Sequence, residues 1–371
     1  MKINLLLFLL SLLLFTPLQA QWVTKRITHS GLNRDYMVYL PNNYTAANPA
    51  SLIVTLHGLG DTMENFKQIG FAPVADTTNY IVVVPQAVAD IITGTAWNSG
   101  AGILGYYPNS NVDDKGFLNV LIDKMQLDYS INPERIYMCG YSMGGFMTQR
   151  MACEANDKLT AVASVAGTLG SAITSCRPGR DIPVAHFHGT DDATVGYYNN
   201  TFGNSVDELI TSWVQNNNVN PIPEYSALPN TMNDGYTVDH YLYSEGNADV
   251  ELFKVNGANH VWLKKPANDI DYAQEIIRFF NKTQQPLGIE NLEYTSVLIY
   301  PNPTRDEIFI QTGNSQSVEV TFFDTLHRKI VNITATPETA ISLKSLRLQS
   351  GLYLMAIQSK TGTSTHKIII N

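Results

Sequence analysis

Gly140-Tyr141-Ser142-Met143-Gly144 constrains this chain more than any other stretch. It follows Arg135-Ile136-Tyr137-Met138-Cys139, a strand-like apolar run, and precedes Gly145–Met151, which is rich in helix formers. Strand, tight Gly-x-Ser-x-Gly turn and helix together form the context of a nucleophile elbow. The flanking glycines let the chain reverse without a Cβ clash, so the hydroxyl is presented at the strand's end. Backbone N–H groups and a helix N-terminus then face the place where an oxyanion would form. A pentapeptide this short arises by chance in about one such chain in ten, so the rest of the sequence has to support it.

The surrounding pattern does. Leu52–Leu56 and Tyr80–Pro85 are continuous apolar, β-branched runs, as expected of strands buried on both faces of a parallel sheet. Ala161–Val165, Pro183–Phe187 and Val250–Val255 read the same way, and Trp22–Ser30 with Leu32–Leu40 reads as a hairpin. Between the runs lie helical periods: Phe117, Leu118, Leu121 and Met125 share a face within Asp113–Tyr129, as do Ala273, Ile276, Ile277 and Phe280 further on. Buried strands alternating with helices predict an α/β fold, a mostly parallel sheet with helices on both sides.

After Phe280 the period changes. Asn281–Glu293 is polar and reads as a linker, and the remainder carries short strands: Val297–Tyr300, Glu307–Thr312, Val318–Phe323, Lys329–Ile333, Ala340–Leu343, Leu352–Ile357 and His366–Ile370. Such spacing fits a small β-sandwich. Charge divides at the same place. Gln21–Leu287 holds 16 basic and 26 acidic residues, whereas Gly288–Asn371 holds 7 of each. The net charge of −9, with no basic stripe, argues against a nucleic-acid partner. At the start, Lys2, the apolar Leu5–Phe15 and Thr16–Ala20 read as a signal peptide cut after Ala20. The expected division is a signal peptide at 1–20, an α/β domain at 21–283, a linker at 284–294 and a β-sandwich at 295–371.

Export permits disulfides. Of the three cysteines, Cys139 lies in the strand feeding the elbow, so Cys153 and Cys176 are expected to pair. His186 and His188 share a strand face at i, i+2, but no third ligand accompanies them, and a metal site is not expected.

If Ser142 is a nucleophile it needs a base, an acid and an oxyanion hole. Asp192 follows the Pro183–Phe187 strand within His188-Gly189-Thr190-Asp191-Asp192, and His260 follows the Val250–Val255 strand within Asn256-Gly257-Ala258-Asn259-His260. The order Ser, Asp, His, each in a loop after a strand, is that of α/β-hydrolases. Asp191 is the alternative acid. The first buried strand ends in Leu56-His57-Gly58-Leu59-Gly60, so the N–H groups of Leu59 and Met143 are the expected oxyanion donors, with His57 and His188 shaping loops. Trp97, in a Gly-rich insertion that also carries Tyr106-Tyr107, and Trp262 are the expected substrate contacts, with core packing the equally weighted alternative for the loop aromatics.

Together Tyr39-Leu40-Pro41, Leu56-His57-Gly58, the Ser142 pentapeptide, His188–Asp192, Asp113-Asp114 and His260-Val261-Trp262 resemble the secreted polyhydroxybutyrate depolymerase and feruloyl esterase family over Ile27–Lys282. The resemblance implies hydrolysis of carboxylic esters, polysaccharide-linked or polyester, without a cofactor. Leu263-Lys264-Lys265 departs from the Pro-Gly that often follows in that family. Ile299-Tyr300-Pro301-Asn302-Pro303-Thr304, Gly351-Leu352-Tyr353 and the closing Lys367–Ile370 resemble a type A sorting domain of the type IX secretion system. That implies the secretion machinery as a partner and an extracellular or cell-surface location. A carbohydrate-binding sandwich is the alternative for the tail. For the α/β domain the alternatives are a catalytically inactive binding module and, less favoured, a serine peptidase.

Overall fold

The computed structural model describes residues 22–173, 175–283, 298–311, 317–324, 329–336, 339–359 and 362–371. The expected signal peptide and linker lie outside the described residues. The chain divides into two compact units near residue 285.

The first unit is built on ten strands. Those leading to the elbow are β1 (Trp22–His29), β2 (Leu32–Tyr39), β3 (Ala50–Leu56) and β4 (Tyr80–Pro85), then a separate hairpin of β5 (Val88–Asp90) and β6 (Gly94–Ala96). There follow β7 (Ile131–Tyr141), β8 (Ala161–Val165), β9 (Val184–Gly189), β10 (Glu224–Ala227), β11 (Thr237–Tyr243) and β12 (Val250–Asn256). The helices are α1 (Met63–Phe66), α2 (Phe71–Thr78), α3 (Asp114–Asp128), α4 (Met143–Glu154), α5 (Val206–Asn216) and α6 (Tyr272–Lys282). The sheet order is β1-β2-β4-β3-β7-β8-β9-β12-β11-β10, parallel from β4 to β12 with an antiparallel pair at each edge.

Both faces of the parallel strands are covered, as their unbroken apolar runs require. Leu52, Val54, Ile81, Val83 and Met138 point to a core shared with Phe117, Met147 and Trp213 of α3, α4 and α5. Their alternates Ile53, Val82, Tyr137 and Cys139 point to a second core with Phe71 of α2 and Ala273, Ile276 and Phe280 of α6. A buried side chain of this size is worth about 1.5–3 kcal/mol in apolar transfer, so the two cores fix which strand ends lie together.

The decisive point is between β3 and its neighbours. From β3 the chain passes to β4 on one side and then to β7 on the other. Loops leaving β3 and β7 therefore diverge at the carboxyl edge of the sheet, where open α/β folds place their sites. Leu56 pairs with Gly140 in that register, and β8, β9 and β12 end on the same edge.

In the second unit, β13 (Leu298–Tyr300), β14 (Glu307–Gln311) and β17 (Ile341–Ser342) form one sheet. β15 (Val318–Phe323), β16 (Lys329–Ala335), β18 (Gly351–Ser359) and β19 (Gly362–Ile370) form a second, in the order β16-β15-β18-β19. Ile308 and Ile310 of the first share a core with Val320, Phe322, Met355, Ile357 and Ile368 of the second. Asn302, inside the Tyr-Pro-Asn-Pro motif, clamps the closing strand: its side chain donates to the Lys367 carbonyl at 2.7 Å and accepts from the Ile369 N–H at 3.0 Å.

Candidate active site

Ser142 closes β7 and caps α4 with φ 54° and ψ −120°. A non-glycine residue there carries about 1–3 kcal/mol of strain that its surroundings must hold. The Ser142 N–H donates to the Val165 carbonyl of β8 at 2.8 Å, and its carbonyl accepts from Phe146 N–H at 3.0 Å. The flanking glycines are required by close approach. A Cβ on Gly144 would collide with the Leu56 carbonyl oxygen of β3, and one on Gly140 with the Gly144 carbonyl. Met143 is the first residue of α4, so its N–H has no acceptor within the helix.

The loop after β3 lies against this turn: a Cβ on Gly58 would sit 3.4 Å from that of Ser142. The buried His57 imidazole shapes that loop. Its Nδ1 donates to the Gly58 carbonyl at 2.8 Å, and Nε2 accepts from Ala87 N–H at 3.1 Å and from the Gln86 amide at 3.0 Å. Burial pushes the His57 pKa down and keeps the ring neutral, consistent with one nitrogen donating and the other accepting. Leu59 follows, 47% exposed.

Trp97 is buried and does not lie on an exposed platform. It is 0% exposed, its indole donates to the His57 carbonyl at 2.9 Å, and its ring lies 5.2 Å from the His57 ring. The core-packing alternative describes it: the indole fills the space beneath the loop carrying Leu59, while Ile91, Ile92, Ile103 and Leu104 of the same insertion stay exposed.

Opposite, the loops after β9 and β12 bring Asp192 and His260 together. His260 Nδ1 lies 2.7 Å from Asp192 Oδ2. The other carboxylate oxygen accepts the N–H groups of Thr194 and Val195 at 2.9 and 2.8 Å. Burial alone would raise the Asp192 pKa; hydrogen bonds from His188, His260 and the Val195 N–H outweigh it and hold the carboxyl well below the usual range. Asp192 is 5% exposed, whereas the alternative acid, Asp191, is exposed and accepts only the Thr190 hydroxyl among side chains.

Sequence reasoning missed two residues. Asn259 Oδ1 accepts from both Ala193 N–H (3.1 Å) and His260 N–H (2.7 Å), stapling the acid loop to the base loop. Tyr141, next to the serine, donates its hydroxyl to the His260 carbonyl at 2.9 Å, with the rings 5.0 Å apart. Its phenol is pushed up to about 12, by burial first and then by the charges of Asp192 and Asp61. The only signal for either was adjacency to a motif residue.

Trp262 is half-buried, with Phe66, Phe71, Tyr141 and Tyr272 around it at 5.7 to 6.2 Å in edge-on geometry. The Leu263-Lys264 departure is accommodated by packing: Leu263 is buried and the Lys264 ammonium donates to the Gln68 carbonyl at 2.7 Å. Cys153 of α4 and Cys176 form a disulfide, and Cys139 is a buried free thiol. His186 and His188 bond to each other at 3.0 Å. Among the described residues no cluster of metal-ligating side chains forms.

A mostly parallel sheet with Ser, Asp and His in chain order at its carboxyl edge defines an α/β-hydrolase fold. More particularly, the chain belongs to the phospholipase/carboxylesterase family, whose pattern matches residues 44–237, just over half of its length. Ser142 and Asp192 fall within that stretch and His260 beyond it. A secretion system C-terminal sorting domain matches residues 298–371. The chain is 30% identical over 215 residues to Feruloyl esterase D of Neurospora crassa, covering 54% of this chain and 65% of that protein. It is 27% identical over 251 residues to Poly(3-hydroxyalkanoate) depolymerase C of Paucimonas lemoignei, covering 62% and 58%. The chain thus spans less than two thirds of either relative. Among solved structures, an acetyl xylan esterase from Aspergillus awamori matches with a TM-score of 0.53, over 70% of this chain and 99% of that one. At 14% identity that likeness speaks for the fold alone.

Proposed function

We propose that this chain is a secreted serine carboxylic-ester hydrolase working through an acyl-enzyme. The observation that carries the reading is the 2.7 Å hydrogen bond from His260 Nδ1 to Asp192, at the same sheet edge as the strained Ser142 turn. With Nδ1 engaged, His260 Nε2 is left to take the Ser142 proton as Oγ attacks the ester carbonyl carbon. The oxyanion is received by the N–H groups of Leu59 and Met143. Collapse expels the alcohol, which takes the proton from His260. Water, deprotonated by His260, then cleaves the acyl-enzyme and returns Ser142. No cofactor enters this sequence.

Feruloyl or acetyl esters on polysaccharide are the favoured substrates, supported by the similarity to Feruloyl esterase D. Trp262, two residues past His260, borders the acyl or leaving-group subsite in this reading. A hydroxyalkanoate polyester is the second reading, supported by the depolymerase relative and by an aliphatic rim. Leu59, Ile91, Ile92, Ile103 and Leu104 are exposed on loops joined by Gly60 N–H to the Thr95 carbonyl and by Tyr106 to Asp90. In the proposed organisation residues 1–20 are a signal peptide, 21–283 the hydrolase domain, 284–294 a linker and 295–371 the tail. Type IX machinery recognises that tail and delivers the enzyme outside the cell or to its surface.

The test is turnover of methyl ferulate against a 3-hydroxybutyrate oligomer by the purified chain, with fluorophosphonate labelling alongside. Ser142→Ala is expected to lose labelling and at least about 10⁴-fold in kcat. A wild-type chain that neither labels nor cleaves either ester would sink the reading.

A further inference from the structure

Behind Asp192 runs a chain of hydrogen bonds that the acyl-transfer steps do not use. The Trp213 indole of α5 donates to Gln149 Oε1 of α4 at 2.7 Å. Gln149 Nε2 reaches Ser164 Oγ of β8 at 2.7 Å, and Ser164 Oγ lies 2.7 Å from His186 Nδ1 on β9. His186 Nε2 is 3.0 Å from His188 Nδ1. His188 Nε2 is 2.8 Å from the Val195 carbonyl and 3.3 Å from Asp192 Oδ2. Trp213, Gln149, Ser164, His186 and His188 are each at most 1% exposed. None of their side-chain polar atoms is left without a partner.

Both ends of this chain have a fixed sense. An indole N–H only donates and a carbonyl oxygen only accepts. Starting from Trp213, Gln149 must present its oxygen to the indole and its amide N–H to Ser164, whose hydroxyl then donates to His186 Nδ1. Starting from Val195, His188 must carry its proton on Nε2, so a neutral ring accepts at Nδ1 from His186 Nε2–H. The two derivations meet without conflict, and one proton arrangement satisfies every link when both rings are neutral. Burial holds His186 far below its ordinary pKa, so that ring stays neutral.

We propose that His188 is a positioning residue for the Ser142–His260–Asp192 machinery: a second, neutral histidine whose Nε2–H, held by this chain on the Val195 carbonyl, lies 3.3 Å from Asp192 Oδ2 and adds its positive end to the field on that oxygen. It rests on the hydrolase reading above. Asp192 Oδ2 then takes the His260 donor and has the His188 Nε2–H beside it, while Oδ1 takes two backbone N–H groups, leaving the carboxylate a single orientation. The other ionisable groups around the pair are Tyr141, Tyr272 and Asp61, together with Tyr197, whose ring lies edge-on to His188 at 5.7 Å, and Asp207 beyond it. Lys254 is the register partner of His188 on β12, and Asp191 is exposed beside Asp192. The two tyrosines facing Asp192 are raised by burial and stay uncharged at neutral pH.

The experiment combines imidazole ¹⁵N NMR of the full-length protein with pH–rate profiles of His188→Phe, His188→Gln and Ser164→Ala. At pH 7 both His186 and His188 are expected as Nε2–H tautomers. Removing the donor in His188→Phe leaves Oδ2 wholly to His260, which stabilises its charged form. The acid limb of kcat/KM should therefore move up by about half a pH unit, and kcat fall about 10- to 100-fold at similar KM. His188→Gln restores an N–H near Nε2 and should recover most of both. If His188→Phe does not fold, Ser164→Ala carries the test, with a mixed His186 tautomer and a smaller shift of the same sign. An Nδ1–H or doubly protonated His188 at pH 7 would overturn the proposal, as would an acid limb unmoved in every folded variant. Failure of the hydrolase reading is seen separately, as wild-type turnover that is absent or indifferent to Ser142→Ala; the tautomers are measured without turnover.

Discussion

Ser142, the proposed nucleophile, and Asp192 and His260, its proposed partners, lie at one sheet edge but are held there by different physics. Ser142 is placed by sterics: a left-handed backbone, helix α4 closing onto β3, and glycines where a Cβ has no room. Asp192 and His260 have ordinary backbone sign themselves, although Gly257 of the base loop turns at φ 79° and Gly189 packs on the Ala258 carbonyl, and their side chains are placed chiefly by polar contacts from Thr194, Val195, Asn259, Tyr141 and His188. Sterically set geometry is local, and a few consecutive residues encode it. Hydrogen-bonded geometry draws on residues such as Gln149 and Trp213, which are distant in sequence from Asp192, and it fails gradually as donors are removed.

The sharpest break should come on the polar side. Asp192→Asn is expected to lower kcat about 10³- to 10⁴-fold, because an amide stabilises neither the required His260 tautomer nor its charged form. Asp191→Asn, on the exposed neighbour, should change kcat less than about twofold. Equal losses in steady-state assays would erase the distinction between them. On the steric side Gly144→Ala should cost more than about 3 kcal/mol, since the new methyl meets backbone rather than a side chain that could move aside. A melting temperature within a few degrees of wild type would show that α4 can withdraw from β3.

Slightly smaller is the disulfide, which joins α4 to the loop before β9 across 23 residues. Closing a loop of that length stabilises by about 3 kcal/mol. The Cys153→Ala, Cys176→Ala double variant should therefore melt earlier while keeping its kcat at low temperature. Loss of kcat in a fully folded sample would mean the crosslink shapes the site itself.

The gentlest probe is pH. His57, in the loop after β3, and His186, behind Asp192, both have pKa values lowered by burial. Above the unfolded value of about 6.5 neither state takes up protons at these residues and stability is flat. Below it only the unfolded chain does, so stability falls by up to about 1.4 kcal/mol per pH unit for each histidine until the folded pKa is reached. Asp192 acts in a lower window, because its folded pKa is depressed. Its contribution is complete above about pH 3.9 and is lost as pH falls towards the folded value. Urea midpoints between pH 7.5 and 5 report the histidine slope, to which His366 of the tail, also lowered by burial, contributes, and His186→Phe should remove its own share. A flat midpoint over that range would contradict the buried, neutral reading of both rings.

Much of this was legible in sequence wherever the signal was periodic or local. The parallel strands, the apolar faces of α3 and α6, and the seven short strands of the tail follow from apolar period and turn residues alone. Helix α5 is missing from that reading although its capping box, Ser205 with Glu208, is itself a sequence signature. The edge strand β10 and its neighbour β11 are missing because neither carries a continuous apolar run: β10 is exposed and β11 mostly half-buried. Trp97 misleads because an aromatic in a Gly-rich insertion looks the same whether the loop opens outward or folds beneath a neighbour.

By itself, then, the sequence determined the α/β class, the elbow, the order Ser142, Asp192, His260, and the separate all-β tail, since each rests on residues adjacent or evenly spaced along the chain. Only the tertiary structure decided Asp192 over Asp191 as the partner of His260, turned Trp97 from surface to support, and connected Trp213 to His188. Those outcomes depend on which polar groups burial forces together, and a buried donor takes whatever acceptor the packed fold leaves within about 3 Å, however far away it lies in sequence.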